Sequence, residues 1–313
     1  MKVATEKPVI LAILDGWGIR KDTPGNAVAL AKTPNMDYLM SNYPNAKLTT
    51  HGEAVGLPPL QVGNSEVGHM NLGAGRTMMM DLPRIDKAVS EGFFERDHSF
   101  RSFVNTIKKA KGDIHLIGLC SEGGVHSHQN HILEAIKGLR NNDIRVFLHM
   151  ILDGRDTPPK NALETLRVFQ EIFGDLSFIV TITGRFYAMD RDRRWERTKL
   201  FFDGIISRQG ELFESPQDFI ESQYDLGLTD EFIKPSVSKT YKGIQRGKDA
   251  VIFMNYRADR ARELTRALTE TEFTEFPRAS FNRVNFVLWL FPYLVFVIGG
   301  VVIFLLLKKR NNH

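Results

Sequence analysis

Arg145-Val146-Phe147-Leu148-His149-Met150-Ile151-Leu152 runs directly into Asp153-Gly154-Arg155-Asp156-Thr157-Pro158-Pro159. An apolar run of strand length gives way to charge, glycine and proline, as a strand does where it ends in a loop. The pattern recurs along the chain. A strand at 113–119 is followed by Ser121-Glu122-Gly123-Gly124-Val125-His126-Ser127-His128. One at 177–183 is followed by Gly184-Arg185-Phe186-Tyr187-Ala188-Met189-Asp190-Arg191, and one at 250–254 by Asn255-Tyr256-Arg257-Ala258-Asp259-Arg260. Helices are predicted over 100–111, with Ser99 as N-cap, and over 131–139, 161–173 and 258–268. Strands alternating with helices predict an α/β fold with a mostly parallel sheet covered on both faces.

In open parallel sheets ligands bind beyond the carboxyl ends of the strands. Arginines follow three of these four strands. A guanidinium is a planar fork of donors that grips carboxylate or phosphate, often bidentately. One arginine after one strand would be read as part of a solvated rim. Arginines after three strands favour a pocket for a small polyanion bearing both groups. The spacing His126-x-His128-x-x-His131 can suggest a metal site, but no cysteine or acidic cluster close by in sequence completes a ligand set. His126 is therefore read as a contact to the ligand, and His128 and His131 as supporting or helix-start residues.

Towards the N-terminus, 8–14 is a continuous apolar run of buried-strand length that ends in Asp15-Gly16-Trp17-Gly18. A carboxylate there is either a metal ligand or a turn residue. A helix is expected after Thr33-Pro34 and a short strand at 47–50. Gly63-Asn64-Ser65-Glu66-Val67-Gly68-His69-Met70-Asn71-Leu72-Gly73-Ala74-Gly75-Arg76 places a serine in a glycine-rich loop before an apolar segment. Ser65 is either a helix cap or a nucleophile at a helix N-terminus, where free N–H groups favour an anion.

The 313 residues are 42% hydrophobic and 25% charged, with a net charge of +4, too small to point to nucleic acid. A single cysteine, Cys120, excludes an intrachain disulfide framework and fits a reducing compartment. No signal-peptide core follows Met1, because the first apolar run is short and ends in Asp15. The 286–307 stretch carries no charge. As a helix it would span roughly 33 Å, enough for a bilayer core, so a membrane-spanning helix and possible membrane contact are expected there. Lys308-Lys309-Arg310 favours a cytoplasmic C-terminus. A tail-anchored chain would instead keep its N-terminal part in the cytosol, and the sequence does not resolve the orientation.

Taken together, the motifs starting at Asp15, Gly63, Asp153, Gly184 and Asn255 resemble those of the cofactor-independent (2,3-bisphosphoglycerate-independent) phosphoglycerate mutases of the alkaline phosphatase superfamily. The resemblance runs from about residue 7 to about 268. It implies residues 1–80 as the first part of a phosphatase domain, 81–272 as a substrate-binding transferase domain, 273–285 as a junction and 286–307 as the hydrophobic helix. It further implies a cytoplasmic location and interconversion of 2-phosphoglycerate and 3-phosphoglycerate through a phosphoserine at Ser65, with manganese as cofactor, two ions in the family. Asp15 and Ser65 would be metal ligands. His126, Arg155, Asp156, Arg185, Arg191, Arg257 and Arg260 would hold the substrate. The second part of the phosphatase domain, with most metal ligands and a substrate lysine, has no counterpart in this sequence. The chain is therefore expected to be a truncated member with little activity; the alternative is a membrane-tethered module that binds a phosphorylated small acid without turnover.

Overall fold

The computed structural model describes residues 9–278, except 60 and 246, and the backbone of 286–289, 295–298 and 301–304. The chain divides into two compact units, Met1–Pro83 and Arg84–His313.

The first unit consists of short helices, Ala27–Leu30, Pro34–Asn42 and Ser65–Ala74, and a 3-10 turn, Gly52–Val55. Val55, Leu57 and Val67 form its small core, with Met80 against them. The helix expected after Thr33 is Pro34–Asn42. The two expected strands are not formed among the described residues. Val9, Ile10 and Leu11 belong to no regular element and are 96%, 85% and 75% exposed, and 47–50 is irregular. A strand exists only where its N–H and C=O groups find a ladder. No described segment of this unit offers one, so an apolar sequence of strand type remains unpaired.

The second unit is built on one sheet. In chain order its strands are β1 Ile114–Leu119, β2 Val146–Leu152, β3 Ile179–Gly184, β4 Glu211–Phe213, β5 Ser236–Ser238, β6 Ala250–Phe253, β7 Phe286–Trp289, β8 Val295–Ile298 and β9 Val301–Phe304. Their spatial order is β4-β5-β3-β2-β1-β6-β7-β8-β9. The central run β3-β2-β1-β6-β7 is parallel throughout, with Leu119 opposite Ile151. β5 is antiparallel to β3, and β8 is antiparallel to its neighbours. Helices Gln129–Arg140 and Ala162–Phe173 connect β1 to β2 and β2 to β3.

Both faces of the central strands are buried, which is why these strands read as unbroken apolar runs. On one face Ile117, Leu119, Ile151, Val251 and Phe253 pack with Phe201, Phe202 and Ile205 of helix Trp195–Ser207 and with Leu264 and Leu268 of helix Arg262–Thr269. Gly118 points the other way, at Ile132 of helix Gln129–Arg140. Helix His98–Ala110 buries Phe100, Phe103, Val104 and Ile107, one stripe at helical spacing. Its cap is Asp97, whose Oδ1 accepts from the Phe100 N–H at 2.8 Å, rather than the expected Ser99. Phe273 and Phe276, in the expected junction, join the core beside Trp195 and Phe202.

The membrane-spanning helix expected over 286–307 is corrected by the strands β7, β8 and β9, which occupy every described position in that range. The run is rich in valine, isoleucine and phenylalanine, and Pro292 and Gly299-Gly300 interrupt it. Branched and aromatic side chains favour strands, and proline in a helix interior removes an N–H and clashes with the preceding turn. Among the described residues no helix is long and apolar enough to cross a membrane. The other positions of that range lie outside the described residues.

Two histidines interrupt the apolar strands. His115 on β1 and His149 on β2 are fully buried, with His115 Nδ1 at 2.9 Å from His149 Nε2. His115 Nε2 lies 3.3 Å from Asp249 Oδ2, and His149 Nδ1 lies 2.9 Å from Thr181 Oγ1. Donation from Thr181 to His149, from His149 to His115 and from His115 to Asp249 satisfies every member. Burial, reinforced by the neighbouring His115, holds His149 well below the usual imidazole range. His126, His128 and His131 are also lowered, burial being the largest cause in each. Such groups take up protons more readily when the chain is unfolded. Their contribution is therefore complete above the unfolded histidine value, about 6.5, and is lost as pH falls below it. Stability measured by urea unfolding is expected to drop between pH 7 and pH 5.5, with a slope approaching at least about 1.4 kcal/mol per pH unit. A flat profile in that window would contradict neutral, buried imidazoles.

Candidate active site

In the first unit, helix Ser65–Ala74 starts at Ser65 itself, and its cap is Asn64, whose side chain accepts from the Val67 N–H at 3.0 Å. The capping role is thus taken by the neighbour, and the Ser65 hydroxyl is free for another partner. It donates to Asp15 Oδ2 at 2.6 Å. Asp15 follows the unpaired apolar run, and Gly16, at φ 79°, turns the chain there. Gly63 lets the serine loop lie against residue 50, where a Cβ would collide with the Thr50 carbonyl. His69 stands one turn on, with Nδ1 at 2.8 Å from the Ser65 carbonyl oxygen and 3.2 Å from its Oγ. A ring nitrogen that close to a carbonyl carries the proton. His69 Nδ1 is therefore a donor and not a base for the serine.

Asp15 and Ser65 could give a divalent ion two oxygens. Manganese in an oxygen-rich site takes about six ligands, and among the described residues no group of three or more His, Cys, Asp or Glu is placed to hold a metal. The donor set described here does not by itself fit a metal centre.

In the second unit the ends of three adjacent strands meet on one carboxylate. Asp153, just after β2, accepts from Ser121 Oγ beyond β1 at 2.6 Å. It accepts from the Arg155 and Asp156 N–H groups of its own loop at 3.2 and 2.9 Å. Arg185 Nη1, at the end of β3, donates to it at 2.6 Å and to Asp156 Oδ2 at the same distance. Gly184 makes this possible, since a Cβ there would collide with the backbone of Asp230 and Glu231. Burial alone would raise Asp153, but the Ser121 hydroxyl, the Asp156 amide and Arg185 outweigh it and hold the carboxyl below its ordinary range. Burial would lower Arg185, but Asp156 and Asp153 more than offset it and raise the guanidinium above its ordinary value.

Beside this knot lies a cavity of about 390 Å³ lined by Arg155, Arg185, Arg191, Arg197 and Arg260. Asp190, Asp192 and Glu231 also line it, with Phe186, Met189 and Phe232. The arginines are held by carboxylates and backbone: Arg155 by Glu231 at 3.5 Å, Arg191 by Asp259 at 3.0 Å, Arg197 by Asp190 at 3.3 Å and Arg260 by the Met189 carbonyl at 2.9 Å. Arg260 is lowered from its ordinary value, first by burial and then by Arg191, Arg185 and Arg155, despite Asp259. Cations crowded to this degree make a place for an anion.

Of the residues expected to hold the substrate, Arg155, Arg185, Arg191 and Arg260 line the cavity. Asp156 reaches it through Arg185. His126 and Arg257 instead flank Asp259, His126 Nδ1 at 3.8 Å and Arg257 Nε at 3.9 Å. His126 is pushed down to about 4 by burial, Arg185 and Arg257, against Asp259 and Asp156. His128 caps helix Gln129–Arg140, accepting from the Asn130 N–H at 3.2 Å. His131 Nε2 meets Asp86 Oδ1 at 2.6 Å. Arg197, Glu231, Ser121 and Asp259 were not anticipated. Arg197 could have been, because it closes the basic run Arg191-Asp192-Arg193-Arg194-Trp195-Glu196-Arg197, and its guanidinium lies 3.7 Å from the centre of the Phe186 ring. Glu231 comes from a segment with no local signal.

Residues 85–293 match the family described as the BPG-independent PGAM N-terminus. The chain belongs to this family. Among curated relatives, the 2,3-bisphosphoglycerate-independent phosphoglycerate mutase of Dinoroseobacter shibae is 47% identical over 273 residues, covering 87% of this chain and 54% of the relative. That of Listeria monocytogenes is 43% identical over 287 residues, covering 90% and 56%. A solved structure of Leishmania mexicana phosphoglycerate mutase at low cobalt concentration superposes with a TM-score of 0.67 at 30% identity, covering 84% of this chain and 50% of that one. The chain thus spans about half the length of the mutases it matches.

Arg185 is almost wholly buried between its two carboxylates. Replacing it with methionine leaves Asp153 charged, buried and without its cation. Arg185→Met is expected to lower unfolding stability by about 3–5 kcal/mol, read from denaturant midpoints. A loss below about 1 kcal/mol would mean that the carboxylates find other partners.

Proposed function

We propose that this chain carries the substrate-holding and serine-bearing parts of a phosphoglycerate mutase that interconverts 2-phosphoglycerate and 3-phosphoglycerate. The observation that supports this most directly is the arginine-lined cavity beyond the carboxyl ends of β2, β3 and β6, in a chain 47% identical over 273 residues to such a mutase. A phosphoglycerate carries a phosphate and a carboxylate, and planar guanidinium forks suit both. His126, Arg155, Asp156, Arg185, Arg191, Arg257 and Arg260 form the holding set, to which the geometry adds Arg197.

In this reading the Ser65 hydroxyl oxygen attacks the phosphorus. The bond from phosphorus to the glycerate oxygen breaks, and that oxygen takes up a proton. The glycerate is retained and its other hydroxyl then attacks the phosphoserine, returning the proton to Ser65. Asp15 accepts the hydrogen bond of Ser65 and stands where the departing proton is first received. A serine hydroxyl with only a carboxylate beside it is a poor nucleophile. The two-oxygen donor set therefore favours a second reading, in which this chain binds a phosphorylated small acid and does not turn it over.

Titration calorimetry with 3-phosphoglycerate tests the holding set. Binding is expected without added metal, and Arg191→Gln is expected to weaken it roughly ten- to hundred-fold, the loss of a charged hydrogen bond. No measurable binding would refute the reading. An enolase-coupled assay with added manganese separates the two readings: the expected result is turnover at background. Clear turnover that disappears in Ser65→Ala would establish the mutase and exclude the binding module.

A further inference from the structure

In the loops after β1 and β6, three buried polar atoms have no hydrogen-bond partner: His126 Nδ1, Asp259 Oδ1 and Arg260 Nε. His126 is 4% exposed. Its Nδ1 stands 3.8 Å from Asp259 Oδ1, too far for a hydrogen bond and close enough for one to form after a small rotation of the carboxylate. The other oxygen, Oδ2, is engaged: it accepts from Arg191 Nη1 at 3.0 Å. Arg257 Nε lies 3.9 Å from Oδ1. Asp259 thus stands between a cavity cation that needs an anion and an imidazole that lacks a partner.

We propose that Asp259 is a positioning residue that exchanges partners when the site fills: it occupies Arg191 in the empty site and turns to protonated His126 once a ligand anion takes Arg191. The inference rests on the cavity being an anion site, as proposed above, and extends it to how binding is coupled to a proton.

Every charged group facing His126 bears on this. Arg185 and Arg257 oppose its protonation, Asp259 and Asp156 favour it, and burial opposes it most. An anion seated on the arginines cancels the cationic field. A carboxylate released from Arg191 then completes an ion pair with the imidazolium across the gap. No covalent step is involved; one proton moves from solvent to His126 and leaves with the ligand. As a tethered carboxylate on Arg191, Asp259 also competes with the ligand. It keeps the arginine oriented and weakens binding.

The two consequences have opposite signs in Asp259→Asn. Without the competing charge the site is expected to bind an anion several-fold more tightly, yet to take up fewer protons. Sulfate is the probe, because it does not titrate near pH 5.5. Calorimetry in two non-anionic buffers of different ionisation enthalpy gives the number of protons bound. The wild-type chain is expected to take up a substantial fraction of one proton, Asp259→Asn less than half of that fraction, and His126→Gln none. In the wild type, the His126 ring is expected to titrate at higher pH with sulfate than without, by NMR.

Weaker sulfate binding in Asp259→Asn would assign Asp259 a structural role and overturn the exchange. Equal proton uptake in wild type and Asp259→Asn would overturn it as well. If sulfate binds with the expected uptake and 3-phosphoglycerate does not bind, the exchange stands and the substrate assignment falls. If neither anion binds, both fall.

Discussion

The Asp153 carboxylate is reached by the Ser121 hydroxyl beyond β1, by two amides of the loop beyond β2 and by the Arg185 guanidinium at the end of β3. Four donors on one buried carboxylate remove the cost that an isolated buried charge would carry. They also fix the relative positions of three strand ends. Parallel strands place those ends side by side whatever their sequence, but the sheet alone leaves the loops beyond it free to diverge. Asp153 gathers them. Asp156, anchored through its N–H on Asp153, returns a second carboxylate to the same guanidinium. Arg185 is thereby held rigid at the cavity wall, and preorganised donors lose little on binding.

Around that anchor the electrostatics are those of a site filled from within. Five arginines line one small cavity, and Glu231, Asp190 and Asp259 stand on three of them. These carboxylates keep the cations apart and oriented when no ligand is present. A ligand anion must therefore compete with the protein's own acids as well as with water. The contest is least one-sided at Asp259, which is part-exposed, has one oxygen unsatisfied and has an imidazole within a side-chain rotation.

The first unit contrasts with this. Its serine, aspartate and histidine are joined by hydrogen bonds on an exposed surface, and its core among the described residues is a handful of side chains. The apolar run 9–14 has the composition of a buried strand and none of its pairing. Composition supplies a preference for strand; the ladder must come from another segment. The same limit explains the 286–307 stretch from the other side. Uncharged apolar residues are required both by a membrane helix and by strands, and the ladder from β6 to β9 resolves that ambiguity for the described positions.

The sequence by itself determined the α/β alternation, strands β1, β2, β3 and β6 to within two residues, and Ser65, Asp15 and the arginine motifs as candidate groups for chemistry. Period, turn residues and charge at strand ends are local properties and can be read locally. It did not reveal β4, β5 or helix Trp195–Ser207, whose short or mixed patterns acquire meaning only against the sheet. Tertiary structure alone decided that Ser65 donates to Asp15, that Ser121 and Arg185 share the Asp153 carboxylate, and that Asp259 stands between Arg191 and His126. These partners lie tens of positions or more apart in the chain, and polar groups so separated come within hydrogen-bonding or ion-pairing reach only when the fold brings them together.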